Sequence, residues 1–169
     1  HRVGLAGHVV YEHGAVKTMR YLSGLNIRIS HEIKGCSDKL MPFVVLNTVI
    51  LPTLIIAPPG GGKTTLLRDF VRNLSRQCNV AVVDERSEIA GCYMGISQRD
   101  LGSFCDVLDG CKKADGVRMM IRSMAPQVIA VDEIGNYEDI RAIEMTLNSG
   151  CKLLATVHGS SIDEIRKKP

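Results

Sequence analysis

Thr53-Leu54-Ile55-Ile56-Ala57-Pro58-Pro59-Gly60-Gly61-Gly62-Lys63-Thr64-Thr65-Leu66-Leu67-Arg68-Asp69-Phe70-Val71 is the stretch on which the reading of the fold turns. A short apolar run of strand type enters a glycine-rich turn. A segment follows in which Leu66, Leu67, Phe70, Val71 and Leu74 recur at helical spacing. Strand, glycine loop and helix in that order, with Lys-Thr where the helix begins, make a phosphate-loop (Walker A) pattern, and the small Ala57 stands at the first glycine position. The candidate phosphate-binding residues are Pro58, Pro59, Gly60, Gly61, Gly62, Lys63, Thr64 and Thr65. Glycines let main-chain N–H groups converge on phosphate oxygens where a side chain would block them. The helix start adds the positive end of its dipole. The Lys63 ammonium is a point charge for the β- and γ-phosphates, and the Thr64 hydroxyl is a candidate Mg²⁺ ligand.

Beyond the loop the pattern alternates. Strands are expected at Thr53 to Ala57, Asn79 to Asp84, Gln127 to Asp132 and Lys152 to His158. Helices are expected at Lys63 to Gln77, Lys112 to Met124 and Tyr137 to Ser149. Continuous apolar strands of this kind suit a parallel sheet covered on both faces, so the expected class is α/β, a RecA-like P-loop NTPase with a mostly parallel sheet flanked by helices. In such sheets ligands sit beyond the carboxyl ends of the strands. Three strand ends there carry chemistry. Val128-Ile129-Ala130-Val131-Asp132-Glu133 has the form of a Walker B strand, with Asp132 a candidate metal ligand and Glu133 a candidate general base for the attacking water. Val82-Val83-Asp84-Glu85-Arg86 offers Glu85 as the reserve base and Arg86 as a phosphate contact or an arginine acting across a subunit boundary. Thr156 and His158 end the last strand as sensor candidates. ATP and Mg²⁺ are the cofactors this set predicts, and ATP hydrolysis is the predicted activity.

Residues 1 to 46 read as a small β-rich region and 47 to 169 as the ATPase domain. Val3 to Tyr11 and Ala15 to Leu22 flank the turn-like Glu12-His13-Gly14, Leu25 to Ile33 alternates with strand period, and Cys36 to Leu46 has a helical reading with Pro42 near its start. At Asn47 to Pro52 two apolar pieces abut without evident turn residues, as if a loop were missing there. The first residue is His1 and the last is Pro169, which reads as a piece of a longer chain. With 45% hydrophobic and 23% charged residues the composition is that of a globular protein. Its formal charge of +3 is too mild to argue for nucleic acid or an anionic membrane. No apolar run reaches the ~20 residues a bilayer span needs, so the expected setting is cytoplasmic. Six cysteines without metal spacing read as reduced thiols.

The run Val82 to Gly91, then Arg122-Ser123-Met124-Ala125-Pro126-Gln127 through Gly135, then Ala155-Thr156-Val157-His158-Gly159, resembles the stage III sporulation protein AA family of endospore-forming bacteria. The likeness also takes in Arg2-Val3-Gly4-Leu5-Ala6-Gly7 and Asn26-Ile27-Arg28-Ile29. That family in turn resembles the hexameric ATPases of type II and type IV secretion and pilus assembly. The resemblance implies a homo-oligomeric motor, hexameric by likeness, and partners among the membrane-embedded channel proteins of the sporulation apparatus. It implies a place at the cytoplasmic face of a mother-cell membrane. By the same likeness Asp84, Glu85 and Arg86 match the acidic box of those enzymes, whose acid is a candidate for activating water, and His158 matches their histidine box. One departure is Phe104-Cys105, where the family has an Arg-Thr pair, which touches oligomer-dependent catalysis.

A RecA-like or helicase-loader ATPase acting on nucleic acid shares this core. It would call for a basic, aromatic-bearing surface, and the chain has no Trp, 3 Phe, 4 Tyr and no longer basic run than Arg166-Lys167-Lys168. A nucleotide switch without turnover is the third reading, and Glu133 beside Asp132 argues against it.

Overall fold

A computed structural model describes residues 2–29 and 31–166. Ser30, inside the third expected strand, and Lys167 and Lys168 of the basic run lie outside the described residues. Contacts divide the chain into two compact units, His1–His31 and Glu32–Pro169.

In the first unit β1 (Arg2–Glu12) and β2 (Ala15–Arg28) form an antiparallel ribbon. His13 and Gly14 close it with φ of 51° and 78°, the positive values that a two-residue hairpin turn requires. The alternation at Leu25 to Arg28 extends β2 rather than making a separate strand, and it sets Leu25 opposite Leu5 and Ile27 opposite Val3. His31 to Ile33 has no regular structure.

The second unit begins with α1 (Met41–Val44), a single turn with Pro42 in its first positions. The longer helix expected over Cys36 to Leu46 is cut short because the chain turns at once into a small hairpin of β3 (Val45–Leu46) and β4 (Val49–Ile50). Asn47 and Thr48, at φ 48° and 68°, are its two-residue turn. Of the two abutting apolar pieces, Thr48 to Leu51 therefore carries the second arm of this hairpin, and Leu51-Pro52 leads directly into the strand that begins at Thr53.

The remaining elements are β5 (Thr53–Ala57), α2 (Lys63–Leu74), β6 (Val80–Asp84), β7 (Cys105–Asp109), α3 (Lys113–Met124), β8 (Val128–Ile134), α4 (Tyr137–Asn148), β9 (Lys152–His158) and α5 (Ile162–Ile165). The five strands of this set are parallel, in the order β5-β9-β8-β6-β7. This is the α/β architecture the apolar runs predict. The strand period of two divides the core between the faces. Val80, Val82, Val128, Ala130 and Leu154 pack with Leu67, Phe70, Val71 and Leu74 of α2. Ala81, Val83, Ile129, Val131, Leu153 and Ala155 pack with Val117 and Met120 of α3 and Ala142 of α4. A sheet covered on both sides can expose chemistry only at its ends, and all five strands run to the same end.

The expected boundary lies between residues 46 and 47, after the helical reading of Cys36 to Leu46. In contacts the division falls earlier, because residues 32 to 46 are held by the sheet unit. Val44 enters the core beside α2, and Asp69 of α2 accepts hydrogen bonds from the N–H groups of Gly35 (3.1 Å) and Ser37 (2.8 Å) and from the Ser37 hydroxyl (2.7 Å). Arg72 closes an ion pair with the same carboxylate at 2.6 Å. Burial alone would push the Asp69 carboxyl up. The Ser37, Arg72 and Gly35 donors outweigh it and hold it at about 2. A depressed native value stabilises the fold above the unfolded value near 3.9, and that stability is lost as pH falls toward 2. Asp69→Asn is expected to cost about 2 kcal/mol at pH 7, with the gap to wild type closing between about pH 5 and pH 2. Urea unfolding across that range checks it.

Candidate functional site

At the carboxyl end of β5 the chain bends through Pro58 to Gly62, all exposed, and Gly62 caps α2 at φ 79°. Gly61 donates its N–H to Pro58 O at 3.1 Å, and a Cβ there would lie 2.9 Å from Ala57 Cβ, so the tight loop excludes any side chain at that position. Lys63 is buried. Its ammonium donates to the carbonyls of Ala57 and Pro58, each at 2.9 Å, and lies 2.9 Å from His158 Nδ1 at the end of β9. Thr64 donates its hydroxyl to Asp132 Oδ2 at 2.7 Å, which joins the start of α2 to the acidic end of β8. Thr65 does not share this cleft. It lines a separate shallow indentation with Arg68, Asp69 and Arg72.

The end of β8 is distorted. Its register with β9 slips between Val131 and Ile134, and Glu133 adopts φ 53°, a left-handed conformation that costs a non-glycine residue free energy. The Thr156 hydroxyl, fully buried on β9, accepts from Glu133 N at 2.8 Å and donates to Asp132 Oδ1. Thr156 thus holds both acids in place. Glu133 in turn has each oxygen committed, Oε1 to His158 Nε2 at 3.0 Å and Oε2 to Arg86 Nη1. Lys63, His158, Glu133 and Arg86 form one continuous polar chain across the strand ends.

At the neighbouring strand end, Asp84 and Glu85 part ways. Asp84 is buried and accepts the N–H groups of Glu88 (2.9 Å), Ile89 (3.0 Å) and Ala90 (2.8 Å), so it shapes the loop after β6. Arg68 of α2 secures that loop through the carbonyls of Ile89 (2.7 Å) and Glu88 (2.8 Å). Glu85 is turned the other way, with Oε2 bonded to Lys113 Nζ at 2.6 Å. Glu85, Arg86, Lys113, Asp132 and Glu133 line one open cleft, together with Asp84 and Glu88. Lys113 is the residue that sequence reasoning missed. A signal existed, since a cation in the first turn of a helix opposes the macrodipole and calls for an acidic partner.

Thr64 and Asp132 are hard oxygen donors at one point, which suits Mg²⁺. Among the described residues no group of three or more His, Cys, Asp or Glu side chains is arranged to hold a metal alone.

The profile of the family described as "Sporulation stage III, protein AA" matches residues 1–169. The chain belongs to that family. It is 48% identical over 175 residues to the stage III sporulation protein AA of Bacillus subtilis (strain 168), covering 100% of this chain and 57% of that protein. Among solved structures, the Legionella pneumophila ATPase DotB superposes with a TM-score of 0.58 at 22% identity, over 79% of this chain and 38% of DotB. The pilus retraction motor PilT with bound ADP gives a TM-score of 0.61 at 18% identity, over 94% of this chain and 45% of PilT. These likenesses establish the fold as that of the P-loop secretion and pilus ATPases. The chain spans little more than half the length of its Bacillus relative and less than half of each structural neighbour.

Proposed function

We propose that this chain binds ATP with Mg²⁺ and hydrolyses the β–γ phosphoanhydride bond, as one subunit of a homo-oligomeric motor serving a membrane-embedded channel in endospore formation. The observation that carries the reading is the 2.7 Å bond from the Thr64 hydroxyl to Asp132, which brings a phosphate loop and a strand-end acid to one point. Thr64 and Asp132 would hold the metal, which supplies positive charge against the triphosphate. The amides of Gly60 to Thr65 and the Lys63 ammonium take the phosphate oxygens, in competition with the Ala57 and Pro58 carbonyls and His158 that the ammonium now contacts.

A water oxygen attacks the γ-phosphorus, the bridging P–O bond to the β-phosphate breaks, and the water proton passes to a carboxylate. A carboxylate oxygen with no hydrogen-bond partner to displace is the readier acceptor. Glu133 has both oxygens engaged, whereas among the described residues Glu85 Oε1 carries no hydrogen bond or ion pair. The reading therefore gives the proton to Glu85 and assigns Glu133, with His158 and Arg86, to the polar chain that a γ-phosphate would disturb.

The motor role is supported by family membership and by the shared fold with a pilus retraction motor. Among the described residues no helix is long and apolar enough to cross a membrane, and the reading places the subunit at the cytoplasmic face through channel proteins. Phosphate release from MgATP by the purified chain tests hydrolysis. Linear release that stops when Mg²⁺ is chelated is expected, and release no faster than in a protein-free blank would refute it.

A further inference from the structure

Lys113 is the first residue of α3, only 5% exposed, and it is set against the helix dipole, a position hostile to a cation unless partners repay it. Its partners are both acids. The ammonium lies 2.6 Å from Glu85 Oε2 and 3.4 Å from Asp139 Oδ1. Asp139 is itself fixed, since its other oxygen accepts the N–H groups of Gly135 at 2.9 Å and Asn136 at 3.2 Å, in the turn that leaves β8 just after Glu133. Asn136 returns the capping bond to Asp139 N at 2.9 Å. One buried ammonium thus ties the end of β6 to the turn after β8, the two strand ends that carry the cleft acids. The burial is lopsided. The lysine side chain is 5% exposed and the Glu85 side chain 36%, so Glu85 is anchored through one oxygen from the inner side while the carboxylate stays open to the cleft.

We propose that Lys113 is a positioning residue for ATP hydrolysis: it fixes the rotamer of Glu85 through Oε2 so that Oε1 is presented to the attacking water. The proposal rests on the hydrolytic reading above and extends it to a residue outside the phosphate loop and the Thr64–Asp132 pair. A purely structural ion pair would lower stability without selecting the chemical step. A positioning lysine lowers kcat and leaves the KM for MgATP in place, because ground-state phosphate binding belongs to the loop at Gly60 to Thr65.

The test compares steady-state turnover and MgATP calorimetry for the full chain, Lys113→Met, Lys113→Arg, Glu85→Gln and the Lys113→Met/Glu85→Gln pair. A positioned general base contributes about 100-fold or more, so Lys113→Met is expected to lose about 100-fold in kcat with KM within about threefold. Lys113→Arg keeps the charge but moves the donor and is expected to lose about tenfold in kcat alone. In the Glu85→Gln background, Lys113→Met is expected to cost less than about threefold more, because residues that act as a unit are not additive. Lys113→Met that keeps kcat within about threefold of wild type, or losses that multiply in the double variant, would overturn the role of the lysine while leaving hydrolysis intact. Should Lys113→Met fail to bind MgATP because it does not fold, Lys113→Arg decides. Wild-type kcat in that variant overturns the proposal, and a loss in kcat alone supports it. A wild-type chain that binds MgATP and releases no phosphate overturns both this role and the hydrolytic reading.

Discussion

Lys63→Ala is expected to weaken MgATP binding by about 100-fold or more while leaving the fold in place. Its ammonium is the one charged donor in the loop, buried and aimed by two carbonyls of the same loop, so its direction is settled before a ligand arrives. Hydrogen bonds to charged groups contribute about 1.5–3 kcal/mol each, and an ammonium shared by two phosphate groups reaches the upper end or beyond. About 2.7 kcal/mol is a factor of 100 in affinity. The fold does not depend on this side chain, because Leu67, Phe70, Val71 and Leu74 anchor α2 to the sheet, the Ala57 carbonyl at the end of β5 keeps the Gly159 N–H at 3.3 Å, and Pro58 lies in the exposed loop. Equilibrium binding of a fluorescent ATP analogue with thermal melts in parallel checks both halves. An affinity within about threefold of wild type would show that the loop binds through its amides alone.

Glu85→Gln is expected to keep MgATP affinity and to lose about 100-fold or more in turnover. Glutamine matches the carboxylate in shape and still accepts from Lys113, so binding geometry is preserved, but the amide cannot take the proton of water. Glu133→Gln is expected to lose less, about five- to tenfold, because it loosens the contacts to Arg86 and His158 around the cleft rather than removing the proton acceptor. Single-turnover hydrolysis separates the two. If Glu133→Gln traps ATP and Glu85→Gln turns over freely, the base is Glu133, and the polar chain from Lys63 to Arg86 must break when nucleotide binds.

Much of this was legible in the sequence, for a physical reason. Buried parallel strands must be apolar on both faces, so the strands ending at Asp84 and Asp132 and Lys152 to His158 stand out as continuous runs, and the edge strand Thr53 to Ala57 is legible because it enters the glycine loop. The edge strand Cys105–Asp109 escaped, since Cys-Asp-Val-Leu-Asp carries two acids and is only half covered. The helix expected over Cys36 to Leu46 fell to a hairpin whose turn, Asn47-Thr48, places a β-branched residue at positive φ, against the usual Asn-Gly signature.

At the candidate site, the residue types of the loop and the strand-end acids announce their chemistry locally. What they cannot announce is pairing at a distance. Lys113 meets Glu85 across 28 positions, and Thr156 meets Asp132 across 24, through the sheet order alone. The left-handed turn at Glu133 is equally silent, because nothing in a glutamate's side chain asks for positive φ and only the bulge against β9 imposes it.

The central claim is that the amides and lysine of the loop, with Asp132 opposite, make a binding site for a metal-bound triphosphate. Titration calorimetry of the wild-type chain with a non-hydrolysable ATP analogue and Mg²⁺ tests it most directly. The account predicts saturating heat at one nucleotide per chain, with affinity about 100-fold or more weaker in Lys63→Ala and weaker when Mg²⁺ is removed. A flat titration with folded wild-type protein would contradict it.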